Sequence, residues 1–213
     1  MKVSELAKSS NAALLVVDQQ YDFEPGGALA VKDGDKIAEP ISELMKIFRN
    51  DILTQDSHPS GHISFASSYV GKKPFEILTA TEVERGEVKS KFSKEVLLHY
   101  LSKTPQHQQV LWPDHCVRGT SGWKLDSKLP FERAFMILEK GTRLGGDSYS
   151  AFFENDGTPT GLTKVLAEKN IDSLLIVGLA GDYCVLWSAE DAIREGFQVF
   201  FDQRLTAFVN FPE

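Results

Sequence analysis

Three residues of types that can bind metal ions occur close together in "TQDSHPSGH", residues 54–62: Asp56, His58 and His62. Asp56 and His58 are two positions apart, which in an extended segment directs both side chains to the same side. With His115 further along the chain they make two histidines and one carboxylate, a common ligand set for zinc that also binds iron or manganese. We therefore predict a divalent metal at Asp56, His58 and His115, with His62 as a further ligand, a neighbouring support or a plain loop histidine. For Asp56 and His58 alone, the alternative is that Asp56 is a loop acid that caps a helix and that His58 is a solvated imidazole.

A second group of reactive residues is centred on Cys184. The small residues of "GLAGDYC" follow an apolar strand pattern and "CVLWSAEDAIREG" has helical periodicity, so Cys184 falls at a helix N-terminus. That position stabilises a thiolate, and its backbone amides can bind an oxyanion. Asp18 and Lys140 end other apolar strands, where an acid can accept the thiol proton and a lysine can stabilise the thiolate. These residues predict acyl transfer. The alternatives are a structural salt bridge and an inert buried cysteine, which is our interpretation of Cys116.

Alternating strand and helix patterns position these residues. The continuous apolar run "AALLVVD", 12–18, is typical of a parallel strand buried on both faces. Five more strands are predicted at 51–56, 110–112, 134–140, 173–180 and 197–202. Helices are predicted at 35–48, with Asp35 as its cap and one apolar face, and at 160–169 and 185–195. This alternation predicts an α/β fold with three α/β/α layers, in which helices cover both faces of a mostly parallel sheet of about six strands.

The chain is predicted to form a single domain over residues 1–213, because one core can grow to this length without splitting. Residues 63–109 are polar and lack a strong strand pattern, although 94–101 has helical character. We expect this stretch to form an excursion over the active-site end of the sheet.

The reactive residues share a place in this fold, because each follows a predicted strand. Asp18, Asp56 and Lys140 end their strands, and His115 and Cys184 come shortly after theirs. The carboxyl ends of parallel strands meet at one edge of the sheet, where doubly wound folds bind their ligands. The sequence therefore predicts a single crevice that contains both groups.

Composition argues against several other classes of function. The chain has 23 Lys and Arg against 30 Asp and Glu, a formal charge of −7 that repels nucleic acid. No apolar run approaches the roughly 20 residues that span a bilayer, and the N-terminus lacks the apolar centre of a secretory signal. Two cysteines are too few for a disulfide framework. We expect a cytoplasmic protein without a nucleic-acid or membrane partner.

The chain resembles the nicotinamidases of the isochorismatase-like cysteine hydrolases over most of residues 13–202. The resemblance is carried, in order, by "LLVVDQQYDFEPGGAL", "TQDSHPSGHISFA", "LWPDHCVRGTSG", "EKGT" and "GLAGDYCV". The combination of "DSHP", "WPDHC" and "DYCV" is specific for the metal-dependent branch. The resemblance implies a catalytic triad of Asp18, Lys140 and Cys184 and a metal site of Asp56, His58 and His115, most commonly holding zinc.

The resemblance also implies the surroundings of the thiol. It predicts a cis peptide bond between Leu179 and Ala180, with the amides of Ala180 and Cys184 forming an oxyanion hole. It predicts an aromatic pocket for a pyridine ring, lined by Phe23, Trp112, Tyr149 and Tyr183, for which the alternative is ordinary core packing. Gly181 departs from the family, where a residue with a side chain is common, so a hydrogen bond of the turn is expected to be missing.

The implied reaction is deamidation of nicotinamide to nicotinate and ammonia through a thioester on Cys184, as in NAD salvage. The resemblance implies that the metal would bind the pyridine nitrogen and thereby orient the carboxamide. One alternative is a related amidase or ureide hydrolase that uses the same triad on a carbamoyl compound; such relatives generally lack the metal ligands. Another is a silent ligand-binding relative, against which the intact triad argues. The sequence leaves open whether the chain forms a homo-oligomer.

Overall fold

The computed structural model describes residues 3–209. Its strands are β1 (Ala12–Val17), β2 (Asp51–Asp56), β3 (Ile77–Thr79), β4 (Gln108–Val110), β5 (Met136–Lys140), β6 (Ser173–Gly178) and β7 (Gln198–Thr206). Its α-helices are α1 (Val3–Leu6), α2 (Ala38–Met45), α3 (Ala80–Glu84), α4 (Lys94–Leu101), α5 (Leu162–Glu168) and α6 (Leu186–Arg194). Over this part of the chain no helix is both long and apolar enough to cross a bilayer.

Five strands form a parallel sheet in the order β5-β2-β1-β6-β7. The central strand β1 is buried on both faces, and its side chains alternate between two cores. Leu14 and Val16 pack in the same cluster as Ile41 of α2, whereas Leu15 and Val17 pack with Leu166 of α5. This partition produces the three predicted α/β/α layers, because a strand with apolar residues at every position needs helices on both faces.

Two predicted elements differ from the observed ones. The segment 110–112 was expected in the parallel sheet, but β4 ends at Val110 and pairs antiparallel with β3, so the main sheet has five strands. The reason is that Leu111 and Trp112 donate their backbone hydrogen bonds to Glu76 and Ser64 of the excursion. The helix predicted from Asp35 begins later, at Ala38, after a 3₁₀ turn that contains Asp35. Its predicted apolar face is buried as expected: Ile37, Ile41, Leu44, Met45 and Phe48.

Residues 63–109 contain more regular structure than their polarity indicates. The stretch contains β3, α3, most of β4 and the expected helix α4. A capping box between Thr79 and Glu82 begins α3. The stretch has an apolar cluster of its own that includes Ile63, Leu78 and Leu101.

The strand ends bring the predicted catalytic residues to one edge of the sheet. The register places Asp56 opposite Lys140, and Val17, which precedes Asp18, opposite Gly178. The strand order reverses between β1 and β6, which makes this edge a topological switch point.

Asp51, at the other end of β2, predicts a pH dependence of stability. It is buried, its Oδ1 has no hydrogen-bond partner among residues 3–209, and Arg133 Nε is 4.0 Å from Oδ2. Burial raises the pKa of Asp51 to about 7, although Arg133 opposes the shift. The folded state therefore retains a proton that the unfolded state loses near pH 4. As a result, this group lowers the stability of the fold as pH rises from about 4 to 7.

We expect Asp51→Asn to remove this pH dependence. Relative to wild type, the free energy of unfolding of the variant should increase by about 1 to 3 kcal/mol between pH 5 and pH 8. Urea unfolding at the two pH values measures this difference, with exposed Glu195→Gln as the control. A stability difference between Asp51→Asn and wild type that is the same at both pH values would contradict the prediction.

Candidate active site

Asp56, His58 and His115 lie together in a buried cluster. His58 Nε2 is 3.4 Å and His115 Nε2 is 3.8 Å from the same carboxylate oxygen, Asp56 Oδ2. The other nitrogen of each ring contacts a backbone oxygen, His58 Nδ1 that of Gly141 at 2.9 Å and His115 Nδ1 that of Pro113 at 2.8 Å. These hydrogen bonds leave both Nε2 atoms as the ligand atoms that face Asp56.

The donor set fits a divalent metal. Two imidazole nitrogens and one carboxylate oxygen lie within 4.8 Å of one another. His58 Nε2 is buried without a hydrogen-bond partner in the described part of the chain. A buried polar atom of this kind is costly unless something binds it, and a cation among these three residues would do so.

His62 packs against His58, one of the three clustered residues. Its ring stacks on that of His58 with 4.3 Å between centroids, and its Nδ1 and Nε2 contact Ser64 Oγ at 2.8 Å and the Gly146 carbonyl at 2.9 Å. Burial and the neighbouring His58 lower the pKa of His62 to about 4. Because both ring nitrogens have protein partners, this geometry fits the supporting role among the three that the sequence left open.

Lys140 joins the predicted triad to the predicted metal site. Its Nζ is 2.8 Å from Asp18 Oδ2, 2.6 Å from Asp56 Oδ1 and 3.4 Å from Cys184 Sγ. Lys140 and Asp18 are fully buried, and Thr54 donates a hydrogen bond of 2.6 Å to Asp18 Oδ1. Asp56 therefore directs one oxygen to the ammonium group and the other to the histidines.

The electrostatics differ from the expectation of a stabilised thiolate. Cys184 lies in a π-helical turn, Gly181–Val185, directly before α6, but burial raises the pKa of its thiol despite the opposing charge of Lys140. Burial also raises the pKa of Asp18, although Lys140 lowers it. The thiol is therefore protonated at rest and lies beside a carboxylate that is more basic than usual.

All four predicted aromatic residues line one cavity. Its wall also contains Asp56, His58, His115, Ala180 and Cys184. Tyr183 lies edge-on to Trp112, with 5.0 Å between ring centroids, and Trp112 Nε1 donates to the hydroxyl of Tyr149 at 3.2 Å. Asp18 and Lys140 are not part of its wall. The cavity thus has the three candidate metal ligands and the thiol on a shared surface.

The peptide bond between Leu179 and Ala180 is cis, as the resemblance implied. Gly181 is explained by the C-terminal segment, since a Cβ there would lie 2.6 Å from the ring of Phe208. Its amide donates to Ala207 O at 2.7 Å, so this segment occupies the space that a side chain at residue 181 would need.

Three residues of the cavity wall were not predicted: Leu29, Asp147 and Val209. Asp147 is buried, and one of its carboxylate oxygens lies within 4.8 Å of ring nitrogens of His58 and His62. All three lie in loops or in the C-terminal segment, outside any periodic pattern. The acid in the glycine-rich "GTRLGGDS", seven residues after Lys140, is the one signal that sequence reasoning missed.

The fold and the site define an α/β protein of three layers with a candidate cysteine nucleophile at the carboxyl edge of a parallel sheet. The chain matches the isochorismatase domain over residues 12–211 and belongs to that family. It is 40% identical to the nicotinamidase of Acinetobacter baylyi over 196 residues, which cover 92% of this chain and 80% of that one.

Two solved structures extend the comparison. An Acinetobacter baumanii nicotinamidase pyrazinamidease superposes with a TM-score of 0.81 at 39% identity, over 96% of this chain and 87% of that one. The pyrazinamidase of Pyrococcus horikoshii in complex with zinc superposes with a TM-score of 0.67 at 32% identity, over 94% of this chain and 88% of that one.

Proposed function

We propose that this chain hydrolyses nicotinamide to nicotinate and ammonia. The observation that carries the proposal is the cavity in which Cys184 Sγ and the cluster of Asp56, His58 and His115 face the same aromatic-lined space. The relatives named above support the substrate, since they are nicotinamidases or pyrazinamidases.

In this proposal the triad carries the covalent chemistry. Asp18 accepts the proton of the Cys184 thiol, and the sulfur attacks the carboxamide carbon. The amides of Ala180 and Cys184 stabilise the oxyanion. The proton from Asp18 passes to the leaving nitrogen, ammonia departs, and water hydrolyses the thioester with Asp18 again accepting a proton.

Lys140 stabilises the negative charges that form during these reaction steps. Its ammonium group contacts Asp18, Asp56 and Cys184, so it stabilises the thiolate as that charge forms. The neighbouring carboxylates raise the pKa of Lys140 well above its usual range in spite of burial. It therefore stays charged throughout turnover and acts as a fixed electrostatic partner.

Asp56, His58 and His115 would hold the metal, for which we propose zinc because the donor set suits it and a similar pyrazinamidase is solved with zinc. Bound there, the ion would supply a Lewis-acid partner for the pyridine nitrogen. Phe23, Trp112, Tyr149 and Tyr183 pack against the ring and exclude water from the thiol.

Removing both histidines is the test of the metal site. We expect His58→Ala/His115→Ala to lose bound zinc and to lower kcat/KM for nicotinamide by about 10²-fold or more, because two of three protein ligands disappear. Elemental analysis measures the zinc and an ammonia assay the turnover. His99→Ala/His107→Ala, which removes two histidines outside the cluster, is the matched control. Full zinc occupancy in the first variant would place the ion elsewhere.

The proposed activity itself is tested by incubating purified protein with nicotinamide. We expect ammonia and nicotinate in equal amounts. Turnover of a carbamoyl compound in preference to nicotinamide would contradict the proposal and favour a ureide hydrolase.

A further inference from the structure

One residue, Cys116, connects the backbones of the two histidines of the candidate metal site. It follows His115 in the chain, and its carbonyl oxygen accepts a hydrogen bond of 3.1 Å from the backbone N–H of His58. The next residue, Val117, pairs with His58 in a parallel bridge. The conformation of Cys116 therefore helps to determine how far apart the two imidazole rings lie.

Cys116 has a backbone conformation that residues with a side chain rarely adopt. Its φ is +46°, in the left-handed region, and its side chain is completely buried. A residue of this kind stays in that region only where surrounding contacts hold it there. Cys116 therefore needs a partner that holds its peptide in place.

Asp22 provides this partner. Its Oδ2 accepts the backbone N–H of Cys116 at 2.7 Å, and its Oδ1 accepts that of Ala28 at 3.1 Å. The carboxylate fits because residue 122 is glycine, since a Cβ at Gly122 would lie 2.0 Å from Asp22 Oδ1. Both carboxylate oxygens therefore fix backbone groups of other segments.

Asp22 also contacts the wall of the cavity, although it does not line the cavity itself. It precedes Phe23, and its backbone carbonyl accepts a hydrogen bond of 2.9 Å from Leu29. Phe23 and Leu29 both line the cavity. Asp22 therefore fixes both the cavity wall at Phe23 and Leu29 and the turn that contains His115.

We infer that Asp22 is a positioning residue that holds Cys116 in its left-handed conformation and so sets the spacing of His58 and His115. This inference deepens the proposed function and rests on its metal site. Residues that orient metal ligands typically change metal affinity by about 10- to 100-fold when they are replaced. Asp22→Ala is expected to weaken zinc binding within this range, because Cys116 relaxes and the two Nε2 atoms separate.

The test measures zinc affinity by competition with a chromophoric chelator, using the purified full chain after removal of metal. Glu43→Ala, which removes an exposed acid paired with Lys46, is the control. Thermal unfolding of the zinc-free proteins shows which variants fold. If Asp22→Ala does not fold, Asp22→Asn is used, because its NH2 group replaces one of the two oxygens that accept the backbone N–H groups. About 10-fold weaker zinc binding is then expected. Wild-type zinc affinity in a folded Asp22 variant would overturn the inference.

Two double variants test whether the backbone of residue 116 transmits the effect. Glycine adopts positive φ without a supporting contact, whereas alanine does not. We expect Asp22→Ala/Cys116→Gly to bind zinc about 10-fold more tightly than Asp22→Ala/Cys116→Ala, although both lack the thiol. Equal zinc affinities of the two double variants would refute this role of Asp22.

Zinc affinity and nicotinamide turnover are separate readouts. A wild-type chain whose zinc affinity depends on Asp22 but which releases no ammonia would contradict the proposed function and support the inference. If the wild-type chain deamidates nicotinamide but binds zinc no more tightly than Asp22→Ala does, the inference is overturned and the proposed function stands.

Discussion

Cys184→Ala is expected to lower nicotinamide turnover by about 10⁴-fold or more while the affinity for nicotinamide stays close to that of wild type. In the proposed function this change removes the nucleophile, so no thioester forms, but the aromatic walls and the proposed metal ligands are unchanged. Ammonia release measures turnover, and isothermal titration calorimetry measures binding. The small change in volume at a buried side chain should leave the fold intact.

The second cysteine is the control for this experiment. Cys116 is fully buried, and burial raises the pKa of its thiol well above the usual range, so it is unreactive. Cys116→Ser keeps a residue of similar size and the same backbone contacts, and should retain most of the activity. Ammonia release at the wild-type rate by Cys184→Ala would exclude the thioester mechanism. Complete loss of activity in a folded Cys116→Ser variant would show that the two roles were wrongly assigned.

The sequence predicts most of the sheet because each of its strands contains a short apolar run. The runs before Asp18, Asp56 and Lys140 are local signals, and the register of the parallel sheet then brings these ends together. The run at 110–112 has the same composition but a different partner. Its pairing with β3 depends on the distant chain of the excursion, which no periodicity within the run encodes.

The candidate site shows the same division between local and distant causes. His115 was expected at the end of a strand of the parallel sheet, but it reaches Asp56 through a loop whose next residue, Cys116, accepts a hydrogen bond from His58. The helix N-terminus at Cys184 is a local feature, whereas the burial that keeps its thiol protonated comes from the whole core. The four aromatic residues came from the family resemblance, since their spacing alone fits core packing equally well.

The strongest discrimination is expected between substrates with and without a ring nitrogen. Nicotinamide and pyrazinamide both carry a nitrogen meta to the carboxamide, and benzamide does not. In the proposed function, Asp56, His58 and His115 would hold a metal ion that binds this nitrogen. A buried polar site left without its partner rejects the deficient analogue by roughly 10⁴-fold or more, so we expect benzamide to be turned over at least that much more slowly than nicotinamide.

The measurement is ammonia release from nicotinamide, pyrazinamide, benzamide and an N-carbamoyl amino acid, with and without a chelator that removes the metal. The chelator should reduce the rates on the two nitrogen heterocycles far more than the rate on benzamide, because benzamide makes no use of the site. In the proposed function the aromatic walls would contact all three rings alike, so a difference in rate between the substrates isolates the ring nitrogen. Comparable rates on benzamide and nicotinamide would refute orientation through that nitrogen. Preference for the carbamoyl compound would instead assign the same triad to ureide hydrolysis.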